Sequence, residues 1–155
     1  MTDSAIPAVN VRTAGLDDLP ALAALFDGYR VFYGQPSDPV RAGAFLRERL
    51  ARGDARLLLA VGADGEALGF VQLYPSFTSV GTARIEILND LFVAPQARGK
   101  GVARALLRRA AEDARSRGAV KLVLSTAVDN RPAQALYAAE GWVRDDGFVE
   151  YGKAL

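Results

Sequence analysis

The sequence contains no cysteine and no histidine. Without cysteine, disulfide bonds, thiolate catalysis and cysteine metal ligands are excluded. Without histidine, the chain lacks the side chain that most often acts as a general base near neutral pH, and with it the Ser-His-Asp triad and most zinc sites. Any acid–base chemistry must therefore come from aspartate, glutamate, tyrosine, lysine, a chain terminus or water, and we expect no metal site.

Long hydrophobic runs are also absent, because no apolar stretch reaches the roughly 18–20 residues of a membrane span. Residues 1–10 have neither a basic region nor a long apolar core, so they lack the pattern of a signal peptide, and we expect a cytoplasmic protein. The net charge of +1 provides no general attraction to nucleic acid or to an anionic membrane. We therefore expect neither as a partner.

The composition is that of a globular domain, since half of the 155 residues are apolar and 24% are charged. This length is enough for one domain with its own core and too short for two ordinary ones. We therefore predict a single domain over residues 1–155.

Hydrophobic periodicity predicts the element order βααβββαβαββ, an α/β domain with a mixed sheet. The predicted strands cover residues 9–13, 56–61, 67–74, 83–93, 121–126, 142–143 and 148–151, and the predicted helices cover residues 17–33, 38–52, 101–117 and 133–140. Asp64-Gly65 and Asp146-Gly147 are typical hairpin turns. The three strands before residue 94 form an antiparallel meander. The helix over residues 101–117 connects two parallel strands in a right-handed βαβ unit.

Residues 88–107 are the most informative stretch. The strand Leu88–Val93 is followed by the loop Gln96-Ala97-Arg98-Gly99-Lys100-Gly101 and directly by an amphipathic helix. Backbone N–H groups at the start of a helix form a site for phosphate. A P-loop would need Ser or Thr after Gly-Lys, and a dinucleotide fingerprint would need glycine where Arg104 stands. The remaining alternatives are an acyl-coenzyme A loop, Gln/Arg-x-x-Gly-x-Gly/Ala, and an ordinary tight turn.

This loop, together with the preceding Leu-Asn-Asp-Leu-Phe-Val strand, resembles the motif of the GCN5-related N-acetyltransferases (the GNAT superfamily). A second stretch, Asp129-Asn130-x-x-Ala133-x-x-Leu136-Tyr137-x-x-x-Gly141-Trp142, is similar to the other cofactor-side motif of that family. The two motifs stand in the family's order, and the similarity extends over essentially the whole chain. The resemblance implies the acyl-coenzyme A N-acyltransferase fold: a mostly antiparallel sheet with one splayed parallel strand pair.

The same resemblance implies acetyl-coenzyme A as the cosubstrate and indicates which residues bind it. The backbones of Leu91, Phe92 and Val93 would bind the pantetheine arm, and Asn130 would bind its amide while it caps a helix. The pyrophosphate would be held by the loop and the first turn of the helix, where the implied residues are Arg98, Gly99, Lys100, Gly101, Val102, Ala103 and Arg104.

Transfer of an acetyl group to an amine needs an acid for the leaving thiolate and a base for the amine. By resemblance Tyr137 is the acid, and a phenol with an ordinary pKa near 10 is protonated at neutral pH. The alternative is that Tyr137 is a core aromatic residue. The family's glutamate before the glycine loop is replaced here by Asn89, which leaves Asp90, Glu86 or a water relay as the base.

The acceptor is expected to be a small cationic amine, polyamine-like or otherwise. Aromatic faces with a carboxylate suit such a ligand, and Tyr29, Tyr33 and Asp90 are expected to contact it. A protein lysine or N-terminus is the alternative acceptor, and a non-catalytic acyl-coenzyme A sensor is the alternative function. Edge strands after Trp142 would support a homodimer.

Overall fold

A five-stranded sheet and three helices belong to the first of two compact units in the computed structural model, which describes residues 9–155. Its strands are β1 (Asn10–Thr13), β2 (Arg56–Val61), β3 (Ala67–Thr78), β4 (Ala83–Val93) and β5 (Leu122–Val123), in the spatial order β1-β2-β3-β4-β5. Strands β1 to β4 are antiparallel neighbours, and β5 runs parallel to β4. The predicted α/β fold, with a mostly antiparallel sheet and one parallel pair, is confirmed.

Helices α1 (Leu19–Phe32) and α3 (Val102–Ser116) cover opposite faces of this sheet. The ring of Phe70 on β3 meets that of Phe26 on α1 edge to face, with 6.1 Å between centroids. A Cβ built on the neighbouring Gly69 would lie 3.3 Å from Leu106 of α3. Because successive strand residues point to opposite faces, the core consists of two layers, one on each side of the sheet.

Helix α2 (Pro39–Arg52) packs against α1, where Phe45 stacks on Phe26 at 5.6 Å. Asp38 starts α2 by accepting a hydrogen bond from the N–H of Arg41 (3.0 Å). Gly53 ends it in the left-handed conformation, at φ +65°. The sequence predicts the stop at Gly53 and a start at Ser37 or Asp38, and the structure selects Asp38. Within residues 9–155, no helix has the length and apolar character needed to cross a membrane.

A bulge interrupts the pairing of β3 with β4. Gln72 lies opposite Asp90, and Leu73 lies opposite Leu88, so Asn89 is an extra residue on β4. A bulge of this kind bends the strand and re-aims the side chains that follow it. The bulge therefore determines which face of the sheet receives Asp90.

The second unit comprises residues 126–155 and contains α4 (Arg131–Ala139). The prediction of a final hairpin is wrong, because residues 140–155 form no strand. The turn is present, since the N–H of Gly147 donates to Asp145 Oδ1 (2.9 Å), but its two arms are not paired. A two-stranded hairpin without a third strand is at best marginally stable, which explains why the pattern alone does not produce strands. The fifth predicted strand is also shorter, with only Leu122–Val123 paired to β4.

The prediction that residues 1–155 form a single domain stays a prediction. The first strand, predicted over residues 9–13, begins at Asn10, and residues 1–8 lie outside the described range.

Candidate active site

The loop before α3 presents backbone N–H groups at a helix start. Gly99 and Gly101 have φ of +74° and +80°, and a Cβ built on either would meet nothing within 4 Å. The conformation, rather than a lack of space, therefore favours glycine here. The first helical hydrogen bond is donated by Ala105 to the carbonyl of Gly101 (3.0 Å). The N–H groups of Val102 and Ala103 consequently have no acceptor within the helix and are available to an anion.

The loop is tied to the end of β4 through Arg98. Its Nε donates to the carbonyl of Val93 (3.0 Å), and its guanidinium lies 5.4 Å from the centroid of the Phe92 ring. The cation–π contact and the hydrogen bond of Arg98 together hold the loop against β4. Lys100 is exposed at the tip.

Strands β4 and β5 diverge towards this loop. They pair only at Glu86 with Leu122 and at Ile87 with Val123, whereas β4 continues to Val93. On its other edge β4 stays paired with β3, so that Leu91, Phe92 and Val93 lie opposite Val71, Phe70 and Gly69. The backbone of β4 that faces the gap is free to bind an extended ligand in the manner of an added strand. Exposed strand backbone followed by a helix start offers hydrogen-bonding groups of the kind that an amide-containing arm ending in a phosphate would need.

Asp90 is a buried carboxylate on the α1 side of the sheet, with 3% of its surface exposed. Gln72 Nε2 donates to its Oδ2, and Asn89 Nδ2 donates to its Oδ1 (3.0 Å), while the nearby Tyr29 hydroxyl donates to the Asn89 carbonyl (3.4 Å). Burial raises the pKa of Asp90 above its ordinary value, and these polar neighbours only partly oppose this effect. A buried carboxylate with a raised pKa is a stronger proton acceptor than an exposed one.

Two tyrosines, Tyr29 and Tyr74, lie near this carboxylate, and a third, Tyr33, lies against Tyr29. Burial and the Asp90 charge together raise the pKa of Tyr29 far above its ordinary value and that of Tyr74 to about 12, so both phenols stay protonated. The Tyr33 ring lies 4.9 Å from that of Tyr29, and Tyr33 is 49% exposed. The structure therefore brings together Tyr29, Tyr33 and Asp90, the residues predicted to contact the acceptor substrate. The Tyr33 side of this group is open to solvent.

Glu86 lies in a different environment on the α3 side. Its side chain is fully buried, and Arg117 donates to Oε1 through both Nε (3.1 Å) and Nη2. Arg117 also pairs with Asp113 (3.2 Å), which accepts two further hydrogen bonds from Arg56. Four charged side chains thus form a continuous ionic network between β2, β4 and α3. This arrangement fixes the position of Glu86 and neutralises its charge.

Tyr137 and Asn130 belong to the second unit. Asn130 caps α4 as the sequence predicts, with its Oδ1 accepting from the N–H of Ala133 (3.4 Å). Tyr137 is partly buried, and its ring lies 6.1 Å from that of Trp142 at an angle of 51°. The N–H of Trp142 donates to the Tyr137 carbonyl (2.9 Å), which closes the end of the helix.

Two residues of this region were not predicted from the sequence. Gln72 is fully buried in the middle of apolar β3, and a lone polar residue within an apolar strand is a signal that could have identified it. Arg117 offers no such signal, because an arginine near the end of a helix is ordinarily solvated. Its pairing with Glu86, 31 residues away, becomes visible only in the fold.

A strand gap that leads into a glycine loop, beside a buried carboxylate, is the arrangement expected of an acyltransferase of the acyl-coenzyme A-dependent class. Residues 21–142 match the model of the Acetyltransferase (GNAT) family. The chain therefore belongs to this family and is an acetyl-coenzyme A-dependent N-acetyltransferase.

Individual relatives support this assignment. The chain is 48% identical over 143 residues to the uncharacterized N-acetyltransferase YhfO of Bacillus subtilis (strain 168), covering 92% of this chain and 95% of the relative. The crystal structure of a probable acetyltransferase superposes with a TM-score of 0.88 at 41% identity, covering 94% and 97% of the two chains. The aminoglycoside N(6')-acetyltransferase type 1 of Klebsiella aerogenes is 35% identical over 100 residues, which are 63% of this chain and 65% of the relative.

Proposed function

We propose that the protein transfers the acetyl group of acetyl-coenzyme A to the primary amine of a small cationic molecule, polyamine-like or otherwise, by direct attack in a ternary complex. The observation that carries this proposal is the buried Asp90, held by Gln72 and Asn89 beside the open aromatic wall at Tyr33. A carboxylate and aromatic faces attract an ammonium group. The small-molecule acceptor named in the Klebsiella aerogenes relative supports this acceptor class.

In the proposed complex, the backbones of Leu91, Phe92 and Val93 bind the pantetheine arm in the gap between β4 and β5. The pyrophosphate is held at the helix start, where the proposed contacts are Arg98, Gly99, Lys100, Gly101, Val102, Ala103 and Arg104. Asn130 donates to an amide of the arm while it caps α4. The bound cosubstrate supplies an activated thioester, so the chain needs no nucleophile of its own.

The amine nitrogen must be neutral before it attacks the thioester carbonyl. Asp90 accepts the proton that the bound ammonium loses, directly or through one water molecule, which suits its raised pKa. The new N–C bond forms as the C–S bond breaks, and Tyr137 donates its hydroxyl proton to the departing thiolate. The product nitrogen then releases its extra proton to solvent, and solvent returns a proton to the Tyr137 phenolate. We assign Glu86 a structural role, because Arg117 already neutralises its carboxylate.

The test is thiol release from acetyl-coenzyme A against a panel of acceptors: spermidine, 2-phenylethylamine, kanamycin and a lysine peptide. Because the chain has no cysteine, a thiol reagent reports only the coenzyme. We expect turnover with a small amine. Turnover with the peptide alone would instead identify a protein acetyltransferase. Calorimetric binding of acetyl-coenzyme A without turnover on any amine would identify a sensor.

Asp90→Asn is expected to lower kcat/KM at pH 7 at least about tenfold, because the base is lost. The deficit should shrink as pH rises, since solvent then deprotonates more of the amine. In the wild type, the acidic limb of the pH–rate profile should lie above the ordinary aspartate pKa of about 3.9. Asp64→Asn, at an exposed turn, is the matched control and should leave the profile unchanged. An unaltered profile in Asp90→Asn would remove Asp90 from the mechanism.

The same substitution should leave the melting temperature unchanged or raised at pH 7. A raised carboxyl pKa favours the folded state most below the unfolded pKa, and this contribution is lost as pH rises through the folded pKa. The ionised Asp90 is therefore unfavourable for stability at neutral pH. In the variant, the Gln72 amide can turn so that its Oε1, which has no hydrogen-bond partner among the described residues, accepts from the new amide.

A further inference from the structure

Gln72 is a polar side chain in the middle of β3, and it is fully buried, as are its apolar neighbours Val71 and Leu73. Its Nε2 donates to Asp90 Oδ2, whereas its Oε1 has no hydrogen-bond partner within residues 9–155. A buried amide with an unpaired oxygen lowers stability, so stability alone would favour an apolar residue at this position. We propose that Gln72 is a positioning residue for the base: it holds the Asp90 carboxylate in one orientation and favours its ionised form. This inference rests on the proposed function of Asp90.

The two strands that carry this pair differ in regularity. At Gln72, β3 is paired on both edges, with Leu57 of β2 and with Asp90 of β4. Asp90 instead follows Asn89, the extra residue of the bulge, where β4 departs from regular pairing. The sheet alone therefore sets the orientation of the Asp90 side chain less firmly than that of Gln72. The hydrogen bond from Gln72 anchors the carboxylate to the regular part of the sheet.

The side chains that face Asp90 in the described part of the chain are neutral at pH 7. They are two amides that donate to it and two protonated phenols: Gln72, Asn89, Tyr29 on α1 and Tyr74 on β3. Arg49 of α2 and Asp54 face Tyr74 and pair with each other at 3.0 Å. A neutral donor stabilises the ionised carboxylate and leaves its negative charge available to an ammonium group.

Glu86 shows the other way of holding a buried carboxylate. Arg117 fixes it by hydrogen bonds as well, but the guanidinium adds a positive charge that cancels the charge of Glu86. An opposite charge favours the ionised form so strongly that the group becomes a poor proton acceptor. Each of these two carboxylates of β4 is held by a side chain from another element, and the neutral donor Gln72 suits the one that acts as a base.

The first test is the pH profile of kcat/KM in Gln72→Met, which keeps an unbranched side chain of similar length but removes the donor. The hydrogen bond from Gln72 lowers the pKa of Asp90, so its loss raises that pKa, and the acidic limb should move to higher pH. On the acidic side we expect a loss of about tenfold, the scale of one hydrogen bond to a charged group, and a much smaller loss at alkaline pH.

Val71→Ala is the matched control for a general loss of packing in β3. Val71 is fully buried next to Gln72, but its side chain points to the opposite face of the sheet. The control should lower the melting temperature and leave the acidic limb in place. A limb that also stays in place in Gln72→Met would overturn the proposal.

A second variant, Gln72→Glu, keeps the length of the side chain and places a second carboxyl group against Asp90. Two carboxyl groups in contact do not both ionise readily, so the pair retains one proton to a higher pH and titrates as a unit. The acidic limb should therefore move further than in Gln72→Met. If Gln72 only filled space, both variants would keep the wild-type limb, and that result would overturn the proposal.

A carbon-13 NMR titration of the aspartate carboxyl groups provides a readout that does not depend on turnover. The Asp90 signal is identified by its absence in Asp90→Asn. We expect its midpoint to move to higher pH in Gln72→Met. An unmoved midpoint overturns the inference, while an altered profile in Asp90→Asn would still support Asp90 as the base. A midpoint that moves while the acidic limb stays in place shows that Asp90 is not the base, and the inference then fails together with the proposed role of Asp90.

Discussion

Tyr137→Phe is expected to lower kcat for a good amine substrate by about 10²-fold or more, with little change in the KM for acetyl-coenzyme A. This is the scale of a positioned general acid. The phenylalanine ring keeps the contact with Trp142, and the backbone bonds at the end of α4 do not involve the side chain, so only the hydroxyl is removed. A group that acts on charge developing in the transition state affects kcat rather than ground-state binding.

The measurement is steady-state thiol release at saturating acceptor, together with calorimetric binding of acetyl-coenzyme A to both proteins. Tyr151→Phe removes a hydroxyl from an exposed tyrosine and is the matched control. If Tyr137→Phe turns over as fast as the wild type, Tyr137 is a packing residue and another group protonates the thiolate. That result would leave the small-amine acceptor unaffected, since the panel tests it separately.

Arg117→Met is expected to lower the free energy of unfolding by about 3 kcal/mol, at the lower end of the range of roughly 3–5 kcal/mol for breaking a buried ion pair. It leaves the fully buried Glu86 without its partner, and Glu86 Oε2 already has no hydrogen-bond partner among the described residues. The lower end applies because the Arg117 side chain is itself 24% exposed, so water can partly replace it. Urea unfolding monitored by circular dichroism measures the change.

Two further variants are needed to interpret the loss of stability in Arg117→Met. Arg52→Met removes an exposed arginine that pairs with Glu48 at 3.0 Å on α2, and we expect a loss of about 0.5 kcal/mol or less. The double variant Glu86→Leu/Arg117→Met should recover most of the lost stability, because an apolar pair avoids the desolvation of buried charge. If the recovered protein also keeps its kcat, Glu86 is structural; if the stable double variant is inactive, Glu86 takes part in catalysis.

Local signals in the sequence predicted the helices and the first four strands well. Capping at Asp38 and Asn130 and left-handed glycines at Gly53 and Gly101 act within a few residues, so they can be recognised before the fold is known. The final hairpin shows the limit of this approach. Its turn forms as predicted, but strands need a neighbouring edge, and no pattern within residues 142–151 provides one.

The sequence predicted which residues lie in the candidate site, but it did not predict the burial and the contacts of those residues. Asp90, Tyr29 and Tyr33 do lie together, yet the burial that raises the pKa of Asp90, and the hydrogen bond from Gln72 on another strand that partly opposes this effect, become visible only in the fold. Glu86 looked equivalent to Asp90 in the sequence, because both are carboxylates on one strand. The tertiary contacts distinguish them: one is neutralised by Arg117, and the other is surrounded by neutral hydrogen-bond donors.

The bulge at Asn89 has a consequence for how this enzyme can be altered. Glu86 and Asp90 are separated by an even number of positions and would share one face of a regular strand. They lie on opposite faces because one extra residue reverses the alternation between them. The face of the sheet on which the Asp90 carboxylate lies therefore depends on whether an odd or an even number of residues precedes it in β4. Deleting Asn89 would turn the Asp90 side chain towards α3, although the residue itself would be unchanged. This strand should therefore tolerate substitutions better than insertions or deletions.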